Sequence, residues 1–186
     1  MVNDFIGEIK VMESFKGMQN IVSIEDFKVV KKTDGVGWRI YIRMELLTPF
    51  NQYVSSHPLT EGDIIRLGTE ICTALEYCQS RDLIHRDIKP ENIFVNDFGC
   101  FKLGDFGIAR KLESMTSGMS QKGTMSYMAP EVAHGVRYDQ RVDICSLGLV
   151  LYRLLNNGCP PFMTDRTQLL SPEMRTKSRE QRLGGV

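Results

Sequence analysis

No long apolar run occurs in the 186-residue sequence: the longest, Ile144 to Leu155, is interrupted by Ser146, Gly148 and Arg153. It is too short to span a bilayer, which takes about 20 residues. Neither sign of charge dominates, since Lys plus Arg and Asp plus Glu balance at 23 each. There is thus no global basic field to argue for nucleic acid or a membrane surface. Paired cysteines are absent as well. The five present, Cys72, Cys78, Cys100, Cys145 and Cys159, are scattered and odd in number, which argues against a disulfide framework or a zinc site. Met1 to Lys10 mixes Asp4 and Glu8 with apolar residues, unlike a secretory leader. Repeats and low-complexity segments are missing too. With 42% hydrophobic residues, these absences predict one soluble, cytoplasmic globular domain with a substantial core.

The pattern that remains is mixed. Phe5, Ile9, Met12 and Phe15 fall on one helical face. Extended runs follow at Ile21–Ile24, Phe27–Val30 and Trp38–Leu47, with Lys31–Gly37 as the turn between paired strands. Thr60 is placed to cap a helix carrying Ile64, Leu67, Ile71, Leu75 and Cys78 at three- and four-residue steps. Asn92–Val95 and Cys100–Leu103 read as short strands joined by a turn at Asn96–Gly99. The polar stretch Glu113–Lys122 reads as a surface loop. A buried helix is expected over Val142–Asn156, closed by Asn157-Gly158 and stopped by Pro160-Pro161. The tail after Phe162 is polar and charged, with one marginal helix ending at Gly184-Gly185. The order is α+β.

Three motifs carry the chemistry: His85-Arg86-Asp87-Ile88-Lys89-Pro90-Glu91-Asn92, then Asp105-Phe106-Gly107, then Ala129-Pro130-Glu131. In this order, and with a strand-turn-strand between the first two, they resemble the catalytic domain of eukaryotic-type serine/threonine protein kinases. The resemblance covers roughly Phe5 to Phe162. It implies a bilobal fold, with residues 1–46 a remnant of the small lobe and 47–186 a large lobe shortened at its C-terminal end. Phosphoryl transfer needs positioning and charge neutralisation more than covalent chemistry from the protein, and the residue types match that need. The resemblance implies Asp87 as the base that orients an acceptor hydroxyl, Lys89 as the cation at the γ-phosphate, and Asn92 and Asp105 as Mg²⁺ ligands. Thr124, in Gly123-Thr124, would bridge Asp87 and Lys89, as in the serine/threonine branch. Met44 resembles the residue at the back of the adenine pocket, Glu45, Leu46 and Leu47 the hinge beside the base, and Phe94 the floor. Glu91 joins the expected nucleotide-binding set with Lys89, Asn92 and Asp105.

Other positions have structural or regulatory expectations. The resemblance implies that Asp143 anchors the catalytic-loop backbone, and a carboxylate next to an apolar run needs such hydrogen-bond partners. Glu8 matches the helix glutamate that pairs a lysine. Met12 and Ile24 are expected to stack with His85 and Phe106. Arg86 implies control by phosphorylation, with Ser114, Thr116, Ser117 and Ser120 as candidate positions. No G-x-G-x-x-G occurs in the sequence, and no lysine takes the place expected before Glu8. The expectation is therefore a domain cut short at both ends, without the arginine that pairs Glu131. ATP and Mg²⁺ are the implied cofactors, and a protein with a Ser or Thr acceptor the implied partner. A non-catalytic, pseudokinase-like scaffold is the alternative.

Overall fold

The spacing of Ile9, Met12 and Phe15 does produce a helix. In the computed structural model of the chain, α1 spans Val2–Glu13, and Phe15 is fully buried just beyond its end. The structure describes residues 2–33, 35–106, 110–111, 125–163 and 172–184. Strands β1 (Ile24–Lys31) and β2 (Trp38–Met44) form an antiparallel hairpin with Phe27 opposite Ile42 and Val29 opposite Ile40. The register slips once, between Ile24 and Asp26.

A second, three-stranded sheet has the order β3-β5-β6, built from Thr48–Pro49, Ile93–Val95 and Phe101–Leu103. Its outer strand β6 is also where the chain's first half is fastened. Val22 N–H donates to the Leu103 carbonyl at 2.9 Å, Leu103 N–H to the Asn20 carbonyl at 2.8 Å, and the Asn20 amide to the Phe101 carbonyl at 3.0 Å. Helix α2, Phe50–Ser56, follows Pro49 directly and buries Phe50. Helix α3, Glu61–Gln79, begins with a capping box in which Thr60 and Asp63 satisfy each other's backbone N–H. Its face of Leu67, Ile71, Ala74 and Cys78 packs with Leu147 and Val150 of α5 (Arg141–Leu155) and with Ile93 and Phe101 of the sheet. Burying each large aliphatic side chain contributes about 1.5–3 kcal/mol. This contiguous core is the platform beneath the candidate site. Strand β4 (Leu83–Ile84), which pairs with β7 (Arg110–Lys111), delivers the chain into that site.

A second cluster gathers Ile84, Met128, Ala129, Val132, Tyr138 and Val142 around the short helix α4, Pro130–Ala133. Helix α5 forms where the sequence predicts a buried helix, with Val142, Leu147, Leu149 and Val150 buried, while Ile144 and Leu155 on its other side are half exposed. The polar tail carries the helix expected to end at Gly184-Gly185, and it docks. Its helix α6, Pro172–Gly184, lies against α4 and is held by polar contacts rather than by an apolar stripe. Ser178 donates to the Pro161 carbonyl at 2.6 Å, and Arg182 donates to the Met125 carbonyl at 2.8 Å and to that of Met128. Among the described residues, no helix is long and apolar enough to cross a membrane.

Candidate active site

The loop after β4 is fixed from below by one carboxylate. Asp143, in the first turn of α5, is buried; its two oxygens accept the backbone N–H groups of His85 and Arg86, each at 2.8 Å. Burial pushes its carboxyl up to about 6, and those two N–H donors pull the other way. The bonds also support strain, since Arg86 takes φ 67, a left-handed conformation costly for a non-glycine residue. His85 is completely buried. Its Nε2 lies 3.0 Å from the Gly104 carbonyl and its Nδ1 3.4 Å from the Asp87 backbone nitrogen. The proton therefore sits on Nε2 and Nδ1 accepts. Burial pushes the imidazole down to about 4, so it is neutral at pH 7.

On this base stand the candidate catalytic groups. Lys89 Nζ is 2.7 Å from Asp87 Oδ2. The Asn92 amide nitrogen donates to the Asp87 carboxylate at 3.1 Å and to its backbone carbonyl at 2.8 Å. Asn92 ends a 3₁₀ turn, Pro90–Asn92, and its own carbonyl accepts Gly104 N–H at 2.9 Å. That bond ties the loop to Gly104-Asp105-Phe106. Asp105, next to the tied Gly104, lines a cleft beside this cluster. Asp105 also has a left-handed backbone, φ 56, and such outliers cluster at functional sites. With its nitrogen given to Asp87, Asn92 has its amide oxygen left for a ligand, and Asp105 adds a carboxylate. Both are the hard donors magnesium takes. Glu91 is exposed on the same turn.

Beside this cluster opens an apolar cleft of about 790 Å³, whose lining includes Met44, Glu45, Leu47, Phe94 and Asp105. That volume is in the range of small-molecule sites. Leu46 lines it too, although it is almost wholly solvent-exposed. The Glu45 carboxylate is engaged elsewhere. It receives Lys102 Nζ on both oxygens at 2.8 Å and Ser23 N–H at 2.6 Å, which leaves its backbone and stem to face the cleft.

The sequence reading missed several contributors. Ile40 and Ile42 line the cleft together with Met44, and their two-residue spacing along β2 marks them as one face. Gly104 is required by contact: a Cβ there would lie 2.8 Å from both Phe94 Cε2 and Val22 Cγ2. The aromatic stack is also revised. Phe106 lies 4.7 Å from the His85 ring, as expected, but its second aromatic neighbour is Phe15, at 5.3 Å. Met12 packs at the margin of this cluster, and Ile24 is buried outside it. Phe15, just past the end of α1, reaches Phe106 because an aromatic ring spans the gap. Gly107, Thr124 and the loop residues Ser114, Thr116, Ser117 and Ser120 lie outside the described residues, as does the Glu8 side chain.

Comparison with known proteins identifies the family. The family described as "Protein kinase domain" matches residues 2–182. The chain is 30% identical over 183 residues to the serine/threonine-protein kinase AtPK1/AtPK6 of Arabidopsis thaliana, covering 95% of this chain and 39% of that protein. It is 38% identical over 156 residues to the probable serine/threonine-protein kinase PknB of Bifidobacterium longum, covering 78% of this chain and 22% of that protein. A probable serine/threonine-protein kinase of Corynebacterium efficiens is 46% identical over 109 residues, covering 56% of this chain and 16% of that protein. The chain thus spans about two fifths or less of the length of these relatives.

Proposed function

This chain belongs to the protein kinase domain family, and we propose that it carries the catalytic centre of a serine/threonine kinase acting on protein hydroxyls with ATP. The observation that carries the reading is the Asp87 carboxylate. It is held by Lys89 at 2.7 Å and Asn92 at 3.1 Å, beside a cleft to which Asp105 contributes. In this proposal Asp87 orients the acceptor Ser or Thr hydroxyl and takes its proton. Lys89 offsets phosphate charge and keeps the Asp87 carboxylate aimed. Asn92 and Asp105 would hold Mg²⁺ through oxygen, and the ion would screen the nucleotide's phosphates. Met44, Glu45, Leu47 and Phe94 would bind the adenine, and Glu91 would flank the nucleotide. Thr124 is proposed to join Asp87 and Lys89. Residues 1–46 would form the small-lobe portion and 47–186 the large-lobe portion, in a cytoplasmic setting.

General-base help is worth about 10²–10⁴ in rate. Calorimetric titration of the full chain with Mg²⁺-ATP, paired with radiolabelled phosphate transfer to a generic basic protein, tests the proposal. Binding and transfer are expected, with transfer reduced at least ~100-fold by Asp87→Asn and nucleotide affinity nearly unchanged. Equal transfer by Asp87→Asn would remove Asp87 from its role. Nucleotide binding with no transfer by the parent chain would favour a non-catalytic, pseudokinase-like module.

A further inference from the structure

Away from the nucleotide cleft, Arg153, Arg175, Arg179 and Arg182 line one cavity of about 290 Å³ at the junction of α5 and α6. Ser126 and Thr176 add hydroxyls, and no carboxylate is among its described lining residues. Like charges brought together repel, by an amount that grows as water is excluded. Arg182 directs its two terminal nitrogens to the neutral carbonyls of Met125 and Met128, so those bonds orient the guanidinium without cancelling its charge. Burial lowers its pKa from the usual value, and the charges of Arg153 and Arg179 lower it further. Arg153 stacks over the Tyr127 ring at 4.7 Å, and its Nε is buried without a hydrogen-bond partner among the described residues. A buried N–H of this kind represents unused donor capacity.

We propose that this arginine-lined cavity is an oxyanion site that takes the phosphoryl group of a phosphoserine or phosphothreonine on a protein segment. A phosphomonoester carries about −1.5 to −2 charge and three strong acceptor oxygens, which answers several guanidinium groups better than one carboxylate does. Planar guanidinium forks match its geometry. At roughly 30 Å³ of liquid volume per water molecule, the cavity has room for the phosphoryl group and the side chain bearing it. Position favours a peptide source over a free ion. Ser126 and the carbonyls held by Arg182 belong to the segment that enters α4 directly after Thr124. A phosphopeptide docked there would lie next to the sequence flanking the proposed catalytic centre. This peptide source rests on the kinase reading; the oxyanion site itself does not.

The test uses the full chain and three probes: a short phosphoserine peptide with alanine flanks, its unphosphorylated counterpart, and inorganic phosphate. Nitrogen-15 NMR of arginine side chains reads the site, and calorimetry reads affinity. The phosphopeptide is expected to shift the Arg153 Nε–H signal and to bind at least ~tenfold tighter than the other two probes. The double variant Arg175→Gln/Arg179→Gln, with both changes on α6, should weaken it at least ~tenfold and leave Mg²⁺-ATP binding unaltered. No shift with any probe, or equal affinity in the double variant, would overturn the site. Inorganic phosphate binding as tightly as the phosphopeptide would overturn the peptide as its source. Since ATP binding is followed on the same samples, failure here and failure of the kinase reading are separately visible.

Discussion

The loop from Leu83 to Phe106 and the hairpin from Ile24 to Met44 border the same cleft, yet they are held in opposite ways. In the loop, His85, Arg86, Ile88 and Asn92 are all buried. Asp143 and Gly104 supply polar partners, and Phe15 and Phe106 close the apolar side. In the hairpin, six of the seven β2 residues are exposed, and Tyr41, Ile42 and Met44 stand open to solvent. One wall of the cleft is thus over-determined by tertiary contacts, while the other rests on a two-stranded ladder. Isolated two-stranded sheets are only marginally stable in water. The loop's geometry should therefore survive perturbations that loosen the hairpin.

Removing the loop's support should have the largest effect. Asp143→Ala strands two buried N–H groups and releases the strained Arg86 backbone. A loss of about 3–5 kcal/mol in urea unfolding is expected. A loss below about 1 kcal/mol would mean that the loop is not built on Asp143.

Acid should then distinguish the loop's two buried titrating groups. His85, pushed down to about 4 from 6.5, binds its proton more readily when unfolded, so it makes the fold lose stability as pH falls from 6.5 toward 4. Asp143, pushed up to about 6 from 3.8, binds its proton more readily when folded. It makes the fold gain stability as pH falls from 6 toward 4. Each contribution is on the order of 3 kcal/mol, and they oppose one another. The parent chain should show a shallow profile in this window, and Asp143→Asn a steep loss on acidification. Parallel profiles would refute the assigned protonation states.

Much of this was legible in the sequence, for identifiable reasons. The motif residues Asp87, Asn92 and Asp105 are legible through their resemblance to the kinase motifs, as is Asp143, whose place beside an apolar run also demands hydrogen-bond partners. Helix α3 was readable because Thr60 and the three- and four-residue apolar steps after it are local signals. Helix α2 was not readable: its seven residues, FNQYVSS, bury only Phe50 and carry no side-chain cap. The end of helix α6 was readable from Gly184-Gly185, but its docking through Arg182 and Ser178 was not, because hydrogen bonds to distant carbonyls leave no periodicity to find. Phe15 on Phe106 and Glu45 on Lys102 are long-range pairings that local pattern cannot supply.

Gly104→Ala sharpens the comparison at the seam between the two regions. The new Cβ would meet Phe94 and Val22 at 2.8 Å, and overpacking of this kind costs about 1–3 kcal/mol. The same change narrows the cleft, so weaker nucleotide binding is expected alongside the lower unfolding midpoint. Phe94→Leu added to the Gly104→Ala variant should recover part of the stability, as judged by a double-mutant cycle. Strict additivity would show that the two sites do not touch.

The smallest effect is expected where the hairpin is tied to the rest of the molecule. The Lys102–Glu45 pair joins β6 to the end of β2, with side chains 11% and 23% exposed. Glu45 also holds Ser23 N–H, and its backbone N–H donates to the Ser23 carbonyl at 3.1 Å. Lys102→Met leaves Glu45 its Ser23 contact and some solvent, so a global loss of about 1–2 kcal/mol is expected, at the lower end for a partner removed from a buried polar group. Locally the consequence should be larger. Without this tie the hairpin keeps the 20–23 segment and the Lys16 contact to the Glu25 carbonyl at 3.2 Å, and amide exchange across Phe27–Val30 and Arg39–Arg43 should accelerate while α3 and β5 keep their protection. Faster exchange spread evenly over both regions would mean that hairpin and loop open as one unit, and the contrast between them would fall.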